Sequence, residues 1–396
     1  MTTSPTVLVL TGYYLPGRNA GGPIRSIANM VERLSDQFAF RIVAPDHDVG
    51  DRSAYVGLPR DEWQPVGKAE VLYVSASRLK RGGLLDLVRN TPHDLLYLNS
   101  FFHPAFTLAP LGARRVGALG RTPTLIAPRG ELSPGALTLK AYKKRPFIGV
   151  SRLAGLYRGV DWHATSPDEV RDIGRTVGEG VATVHLAPNL TAPPREPAPL
   201  TVRKRPGELS LVFMSRINAK KNLLFALQSL ARVSGAVTFD VIGPIEDAAY
   251  WQRCRAAIAQ LPSNVRVNHL GAIDHDRVHD ALSAYHVFYL PTLGENHGHA
   301  IVEAMASGLP VLISDRTPWR GLRDRQVGLD LDLARSDAFV EALDTFVAMD
   351  EAALGTWSAA ARSYAGALMA DPAAEMQTRR MLLEAMAGPA HGARDA

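Results

Sequence analysis

Short runs of β-branched and aromatic residues alternate with helical stretches along this chain, stop at one Pro-rich break, and then start again. Alternation of that kind specifies a parallel sheet whose strands are joined by crossover helices. Two such runs call for two sheets. The length of 396 residues agrees, because single cores stop growing near ~250–300 residues. In the first run strands are expected at Val7–Leu10, Phe40–Ala44, Val71–Val74, Leu95–Asn99, Thr124–Ala127, Asp161–Ala164 and Thr183–Ala187. Ile24, Ile27, Ala28, Val31 and Leu34 recur at helical spacing directly after Gly21-Gly22-Pro23, where Pro suits a first turn.

From Pro188 to Gly207 the chain turns to Pro, Arg, Glu and Thr, a stiff connector without periodicity. Strands then resume at Ser210–Met214, Thr238–Ile242, Arg266–Leu270, Val287–Leu290 and Val311–Ser314. Helices are expected at Leu223–Val233, Ala248–Gln260, Asp276–Ala284, Ala300–Ser307 and Asp337–Ala348, with a helical tail from Ala352 to Ala387. The expected division is a first Rossmann-like domain over 1–190, a linker over 191–208, a second Rossmann-like domain over 209–370 and a tail over 371–396.

Composition narrows the function classes. A single cysteine, Cys254, leaves nothing to pair with inside the chain and rules out a Cys-based metal cage in one molecule. The N-terminus lacks a basic segment and a cleavage site, and no stretch approaches the ~20 apolar residues of a membrane span. A cytoplasmic location is therefore expected, with no nucleic-acid partner, because the net charge of +5 is modest and not gathered in one arm. One stretch is locally basic: Lys140, Lys143, Lys144, Arg145, Arg152 and Arg158 are interleaved with Leu139, Tyr142, Phe147, Ile148, Leu153 and Leu156. It reads either as a helix face turned to water or as a surface resting on an anionic membrane.

The most informative stretch is Pro291 to Trp319. A buried strand ends, a Gly-containing loop follows, and a helix opens near His299 or Ala300, so that backbone N–H groups and the positive helix end face one point. Glu295 sits in the loop and Glu303 a turn into the helix, where carboxylates can accept paired hydrogen bonds from hydroxyls. On spacing alone Glu303 could decorate a surface helix; the Gly loop before it and Gly308-Leu309-Pro310-Val311 after it favour a site.

The second constellation, Arg216-Ile217-Asn218-Ala219-Lys220-Lys221, follows the first strand of the second run. Ligands of open α/β sheets bind outside the carboxyl ends of strands, which places its cations well for an anion. Gly243, just past the next strand, could let backbone approach the same ligand or could simply turn the chain.

Two glutamates separated by seven residues and followed by Ala304-Met305-Ala306-Ser307-Gly308-Leu309-Pro310-Val311 resemble the signature of retaining family-4 glycosyltransferases of bacterial surface-polysaccharide type. The resemblance implies the GT-B fold: two Rossmann-like domains facing each other across a cleft, with a C-terminal helix returning to the N-terminal domain. It implies that Glu295 faces the donor sugar, that Glu303 holds the ribose, and that Arg216 and Lys221 clamp the diphosphate as charge builds on the leaving group. His297, Gly298, His299 and Ala300 then contribute contacts to the donor. Gly21 and Gly22 match a Gly-Gly that faces the donor from the first domain. Pro128-Arg129-Gly130 stands where many relatives carry an important His, which leaves Arg129 to meet a phosphate or the acceptor and leaves the general base unassigned.

The implied donor is a UDP- or GDP-sugar and the implied acceptor a sugar or lipid-linked intermediate of lipopolysaccharide or exopolysaccharide synthesis, with no metal and no further cofactor. Asp46/Asp48, Asp274/Asp276 and Asp330/Asp332 could each hold a divalent ion, but Asp274 reads better as a helix cap and the others lack motif context. His275 and His279 lack the Glu of a zinc helix. His163 reads as a buried, hydrogen-bonded residue ahead of a helix capped by Ser166. The competing enzyme class is an NAD-dependent oxidoreductase, opposed by Thr11-Gly12-Tyr13-Tyr14, which lacks the dinucleotide fingerprint. The other competitor is a silent scaffold that keeps the fold.

Overall fold

The structure is a computed structural model that describes residues 4–51, 53–120, 122–138, 141–178, 183–193 and 200–388. Leu139 and Lys140 of the basic stretch and residues 194–199 of the connector lie outside the described residues. The chain forms two compact units, Met1–Ala192 together with Pro372–Ala396, and Pro193–Asp371.

The first unit is built on eight strands: β1 (Thr6–Thr11), β2 (Ala39–Pro45), β3 (Trp63–Val66), β4 (Ala69–Val74), β5 (Leu95–Asn99), β6 (Thr124–Ala127), β7 (Asp161–Ala164) and β8 (Thr183–Leu186). Their order is β3-β4-β2-β1-β5-β6-β7-β8, and only the β3–β4 pair is antiparallel. Strands β5, β6 and β7 are buried along their whole length, as strands covered by helices on both faces must be. On one face the helix Gly22–Leu34 packs through Ile24, Ile27, Met30, Val31 and Leu34. The last helix, Ala373–Ala387, joins it and buries Thr378, Met381, Leu382 and Ala385 at helical spacing. The tail thus returns to the first unit. Arg33 pairs with Glu375 at 3.2 Å, and His185 lies between Asp161 (2.9 Å, through Nε2) and Glu384 (3.3 Å, through Nδ1).

Among the described residues the second unit has six parallel strands: β9 (Glu208–Met214), β10 (Ala236–Ile242), β11 (Val265–Gly271), β12 (Val287–Leu290), β13 (Val311–Ser314) and β14 (Gly328–Leu331). Their order is β11-β10-β9-β12-β13-β14. The end of the connector is tied to this unit by Lys204, whose buried ammonium donates to the carbonyls of Arg205, Val347 and Met349 at 2.8, 3.0 and 2.7 Å.

Several elements differ from the sequence reading. β3 and β14 were not expected. The stretch 276–284 is a 3-10 turn followed by the short helix Val278–Leu282, and Asp274 occupies its cap position without a side-chain cap bond. The expected helical tail is two helices, Glu351–Ala370 and Ala373–Ala387, broken where Pro372 cannot continue the first.

Both nitrogens of His185 face carboxylates, and both can donate only when the ring is charged. The hydrogen bond to Asp161 raises its pKa, against the opposing effect of burial. A folded pKa above the unfolded one gives stability that is complete below about 6.5 and lost as the pH rises through the higher folded value. His185→Gln should therefore lower the thermal midpoint at pH 5.5–6.0 by roughly 2–4 °C, with the gap to the parent closing by pH 9. A gap that is constant with pH would assign the loss to packing instead.

Candidate functional site

In the second sheet the chain winds outward from β9 to β10 and β11, then returns to β9's other side with β12. The crevice between the carboxyl ends of β9 and β12 is the switch point where open α/β sheets bind ligands. The loops that follow these two strands are the two constellations singled out in the sequence.

The first loop is fixed by backbone. Ser215 N–H donates to Ile242 C=O (3.0 Å), Ile217 N–H to Pro244 C=O (2.9 Å), and Ile217 C=O accepts from Glu246 and Asp247 (3.2 and 3.1 Å). Gly243, at φ 141°, makes this possible: a Cβ there would stand 2.0 Å from the Ser215 carbonyl oxygen. The close approach that requires glycine at 243 is therefore to Ser215. Asn218 then turns the chain, its Oδ1 accepting from Lys221 N–H at 3.1 Å, and Asn222 in the left-handed region bonds Pro291 C=O at 3.0 Å. Lys220 C=O accepts from Leu293 N–H at 2.8 Å, so the two loops are sewn together. This turn leaves the Lys220 side chain exposed, although desolvation of its ammonium lowers the pKa against the opposing effect of Glu295, and sends Lys221 inward, where its ammonium pairs with the Glu295 carboxylate, both largely shielded. Arg216 pairs with Glu246 at 3.0 Å, and the same carboxylate oxygen accepts from Asn218 Nδ2 at 2.6 Å.

In the second loop Glu295 N–H donates to Arg316 C=O at 3.0 Å, and Ser314 Oγ donates to Thr292 C=O at 2.5 Å. Gly298 is left-handed (φ 77°) and opens the helix His299–Ala306, with Ala300 in its first turn. The His297 ring lies 4.5 Å from His299 and 5.6 Å from Trp319, centroid to centroid, and its carbonyl accepts from Trp319 Nε1 at 2.6 Å. Burial pushes its pKa down to about 4, so the ring is neutral at neutral pH, and its buried Nε2 has no hydrogen-bond partner among the described residues. Glu303, one turn along the helix, is 3.8 Å from His275 Nδ1.

Arg216, Lys221, Glu295, His297 and Glu303 thus share the carboxyl edge of one sheet. Gly21, Gly22 and Arg129 belong to the first unit. Gly21, left-handed at φ 64°, caps the helix Gly22–Leu34, and its loop is held by Asp48, which accepts from Arg18 and Asn19 N–H at 2.7 and 3.1 Å. Arg129 donates to Asn99 (3.1 and 2.9 Å), Tyr97 (2.9 Å) and Asn189 (2.5 Å). Tyr97 is in turn 2.6 Å from His163, which meets Ala187 C=O at 2.8 Å and is pushed down to about 3 by burial and then by Arg129. Ser166 caps the following helix by accepting from Glu169 N–H. The aspartate pairs are engaged elsewhere: Asp46 with His47 and Arg60, Asp330 with the N–H groups of Gly321 and Leu322, and Asp332 with Ala334 N–H.

Glu246 had not been picked out by sequence reasoning, and Trp319 had served only to bound the stretch that opens at Pro291. A lone Glu after Gly243-Pro244 gives no period to notice; its signal is the Gly-Pro turn, which ends beside the Arg216 loop.

Residues 208–348 match the family model described as Glycosyl transferases group 1. Among solved structures the chain is similar to a sucrose-phosphate synthase from Thermosynechococcus elongatus, with a TM-score of 0.70 and 18% identity over 97% of this chain and 100% of that one. Anabaena HepE in complex with UDP and glucose follows at a TM-score of 0.62 and 15% identity, covering 96% and 99%. WaaG, a glycosyltransferase involved in lipopolysaccharide biosynthesis, gives 0.62 and 12% over the same shares, 96% and 99%. The chain has the GT-B fold. No curated protein sequence matches it.

Since Gly243 is fixed by the Ser215 carbonyl, Gly243→Ala should destabilise the second unit by about 3 kcal/mol, read as a lower urea midpoint at unchanged slope. A midpoint equal to the parent's would show that the loops do not depend on this approach.

Proposed function

We propose that this chain is a retaining, metal-independent glycosyltransferase that moves a sugar from a nucleoside-diphosphate sugar to a hydroxyl acceptor. What supports the reading is that Arg216, Lys221, Glu295 and Glu303 lie on the loops and the helix that follow β9 and β12, at the switch point of the second sheet and within the segment that matches the family model.

The chemistry follows from the charges. A departing nucleoside diphosphate gains negative charge as the anomeric bond opens, and preorganised cations stabilise that charge more than they stabilise the ground state. Each cation already has a carboxylate partner, Arg216 with Glu246 and Lys221 with Glu295. An arriving diphosphate re-partners them, and Glu295, released from Lys221, turns to the sugar hydroxyls. Glu303 accepts from the ribose hydroxyls. Neutral His297 offers a hydrogen bond through Nε2 without adding charge beside the leaving group. The departing phosphate takes the acceptor's proton, in keeping with the unassigned base. UDP is the favoured nucleotide, supported by the HepE complex with UDP and glucose. The strand end Thr11-Gly12-Tyr13-Tyr14 lacks the glycine fingerprint that NAD binding would need.

The acceptor side is assigned to the first unit, and the acceptor is proposed to be a lipid-linked intermediate at the inner face of a membrane. Support comes from the helix Ala141–Leu153. Phe147, Ile148 and Ser151 face inward, while Tyr142 (73% exposed), Val150 (66%) and Leu153 (92%) form an outward apolar stripe flanked by exposed Lys143, Arg145 and Arg152. No Asp or Glu occurs from Leu132 to Val160. Among the described residues no helix is long and apolar enough to cross a membrane.

A panel of UDP-, GDP- and ADP-sugars, scored for hydrolysis and for protection from thermal unfolding against NAD, tests the donor assignment. One UDP-sugar should both protect and turn over, Lys221→Ala should cut turnover by about 100- to 1000-fold, and Glu303→Ala should weaken protection with the fold intact. A nucleotide-blind parent would sink the reading. For the membrane, the parent should co-sediment with vesicles containing phosphatidylglycerol and not with phosphatidylcholine alone, and a Tyr142→Ser/Val150→Ser/Leu153→Ser variant should stay in the supernatant. Equal partition of parent and variant would remove the helix from the proposal.

A further inference from the structure

The first sheet has a switch point of its own, between β1 and β5, which pair in parallel while the chain winds away from them in opposite directions. Gly12 follows β1 directly. Its backbone is ordinary for any residue, but a Cβ there would stand 2.7 Å from Cδ2 and 2.9 Å from Nε2 of His103. The glycine supplies room: the imidazole of His103 lies on the end of β1, in the crevice where this sheet would take a ligand.

Both the ring of His103 and the loop that carries it are held in place. Its Nδ1 accepts from Phe106 N–H at 3.2 Å, which leaves the proton of the neutral ring on Nε2. The loop carrying it is pinned by Glu131, which accepts from Phe101 and Phe102 N–H at 2.7 and 3.0 Å and from Ser100 Oγ at 2.9 Å. Ser100 itself is left-handed at φ 106°, a conformation that a non-glycine residue keeps only when its surroundings impose it. Burial lowers the pKa of His103, so the ring stays uncharged at neutral pH. Its Nε2 makes no hydrogen bond among the described residues, although the residue is only half-buried.

We propose that His103 is a substrate-binding residue of the acceptor side, whose Nε2–H donates to an uncharged oxygen, a sugar hydroxyl, lying over Gly12. This rests on the glycosyltransferase reading and names a contact that reading leaves open. A neutral donor suits a hydroxyl better than a phosphate, and the cations of the neighbouring loops are engaged: Arg129 donates four hydrogen bonds to Asn99, Tyr97 and Asn189, and Lys144, over the Phe102 ring, donates to Ala136 C=O at 2.7 Å. The same tautomer prevents Nε2 from taking a proton, so His103 orients the nucleophile and does not act as its base. Pro128-Arg129-Gly130-Glu131 becomes the scaffold of this contact, with Arg129 holding the end of β5 and Glu131 the loop beyond it.

Two measurements on the full chain test the proposal. In long-range proton–nitrogen spectra of histidine-labelled protein, His103 should read as the neutral Nε2–H form, and its Nε2 signals should move on titration with octyl β-glucoside and stay still with inorganic phosphate. An Nδ1–H ring, a response to phosphate, or no response to the glycoside would overturn the assignment. With UDP-glucose as donor and the same glycoside as acceptor, His103→Ala should lower transfer at least 30-fold with UDP binding unchanged. His103→Gln, which returns an N–H near the Nε2 position, should recover part of that, and Gly12→Ala, which pushes the ring aside, should reproduce the loss. Unaltered transfer in His103→Ala would also overturn it. If the parent binds no UDP-sugar at all, the glycosyltransferase reading fails, and the spectra alone decide on His103.

Discussion

A parallel sheet wound outward in both directions from its middle leaves one gap at its carboxyl edge, and the polar architecture of this chain follows from having two such gaps. The central strands, β1 and β5 in the first sheet and β12 and β13 in the second, are apolar and buried, so side chains with chemistry stand where those strands end. In the second unit that edge carries Arg216, Lys221, Glu295 and Glu303; in the first it carries Gly12, His103 and Arg129. Neither set is assembled by the side chains alone. Gly243 at the Ser215 carbonyl and Gly12 under the His103 ring are the places where a single added carbon would displace the loops or the ring that form each gap.

The two edges manage charge differently. The second pairs Arg216 with Glu246 and Lys221 with Glu295, which keeps half-buried charges from standing alone and gives each of these cations a counter-ion that an arriving anion would have to displace. In the proposed reading, re-partnering makes such a site respond to an anion with full charge and geometry, and gives little to a neutral sugar. In the first, Arg129 is tied to Tyr97, Asn99 and Asn189, and His103 and His163 are both held below their ordinary pKa by burial. An edge prepared in that way presents neutral donors, as recognition of hydroxyls requires.

Much of this was legible in the sequence, and the reasons for what was not are physical. The buried strands announce themselves as apolar runs, and the Glu295 and Arg216 loops by Gly and charge placed after such runs. β3 was missed because Trp63–Val66 contains Pro65, sits at an antiparallel edge and is half-exposed, so neither alternation nor an apolar run marks it. β14 was missed because Gly328 opens a four-residue strand; the structure shows why, since a Cβ there would stand 2.2 Å from the Val311 carbonyl oxygen. The Arg129 network joins residues 30 and 60 positions apart, and no local pattern can reveal a partner at that separation. The His103 contact was invisible for the same reason: it is a relation between residue 12 and residue 103, made only when β1 and β5 pair.

The last helix shows how far such long-range relations govern the fold. Met381, Leu382 and Ala385 complete a cluster that includes Val7, Tyr97, Ala187 and Leu190 of the first unit, so a surface of the first sheet is finished only by residues synthesised after the whole second unit. Until then β8 lacks the cover of that helix, and His185, which meets Asp161 on one side, lacks Glu384 on the other. The first unit therefore cannot reach its final stability as an independent N-terminal domain, whatever the strength of its own strands. Its carboxyl edge inherits that dependence, because Asn189, which holds Arg129, lies beside Leu190, whose carbonyl accepts from buried Asn29 in the first helix.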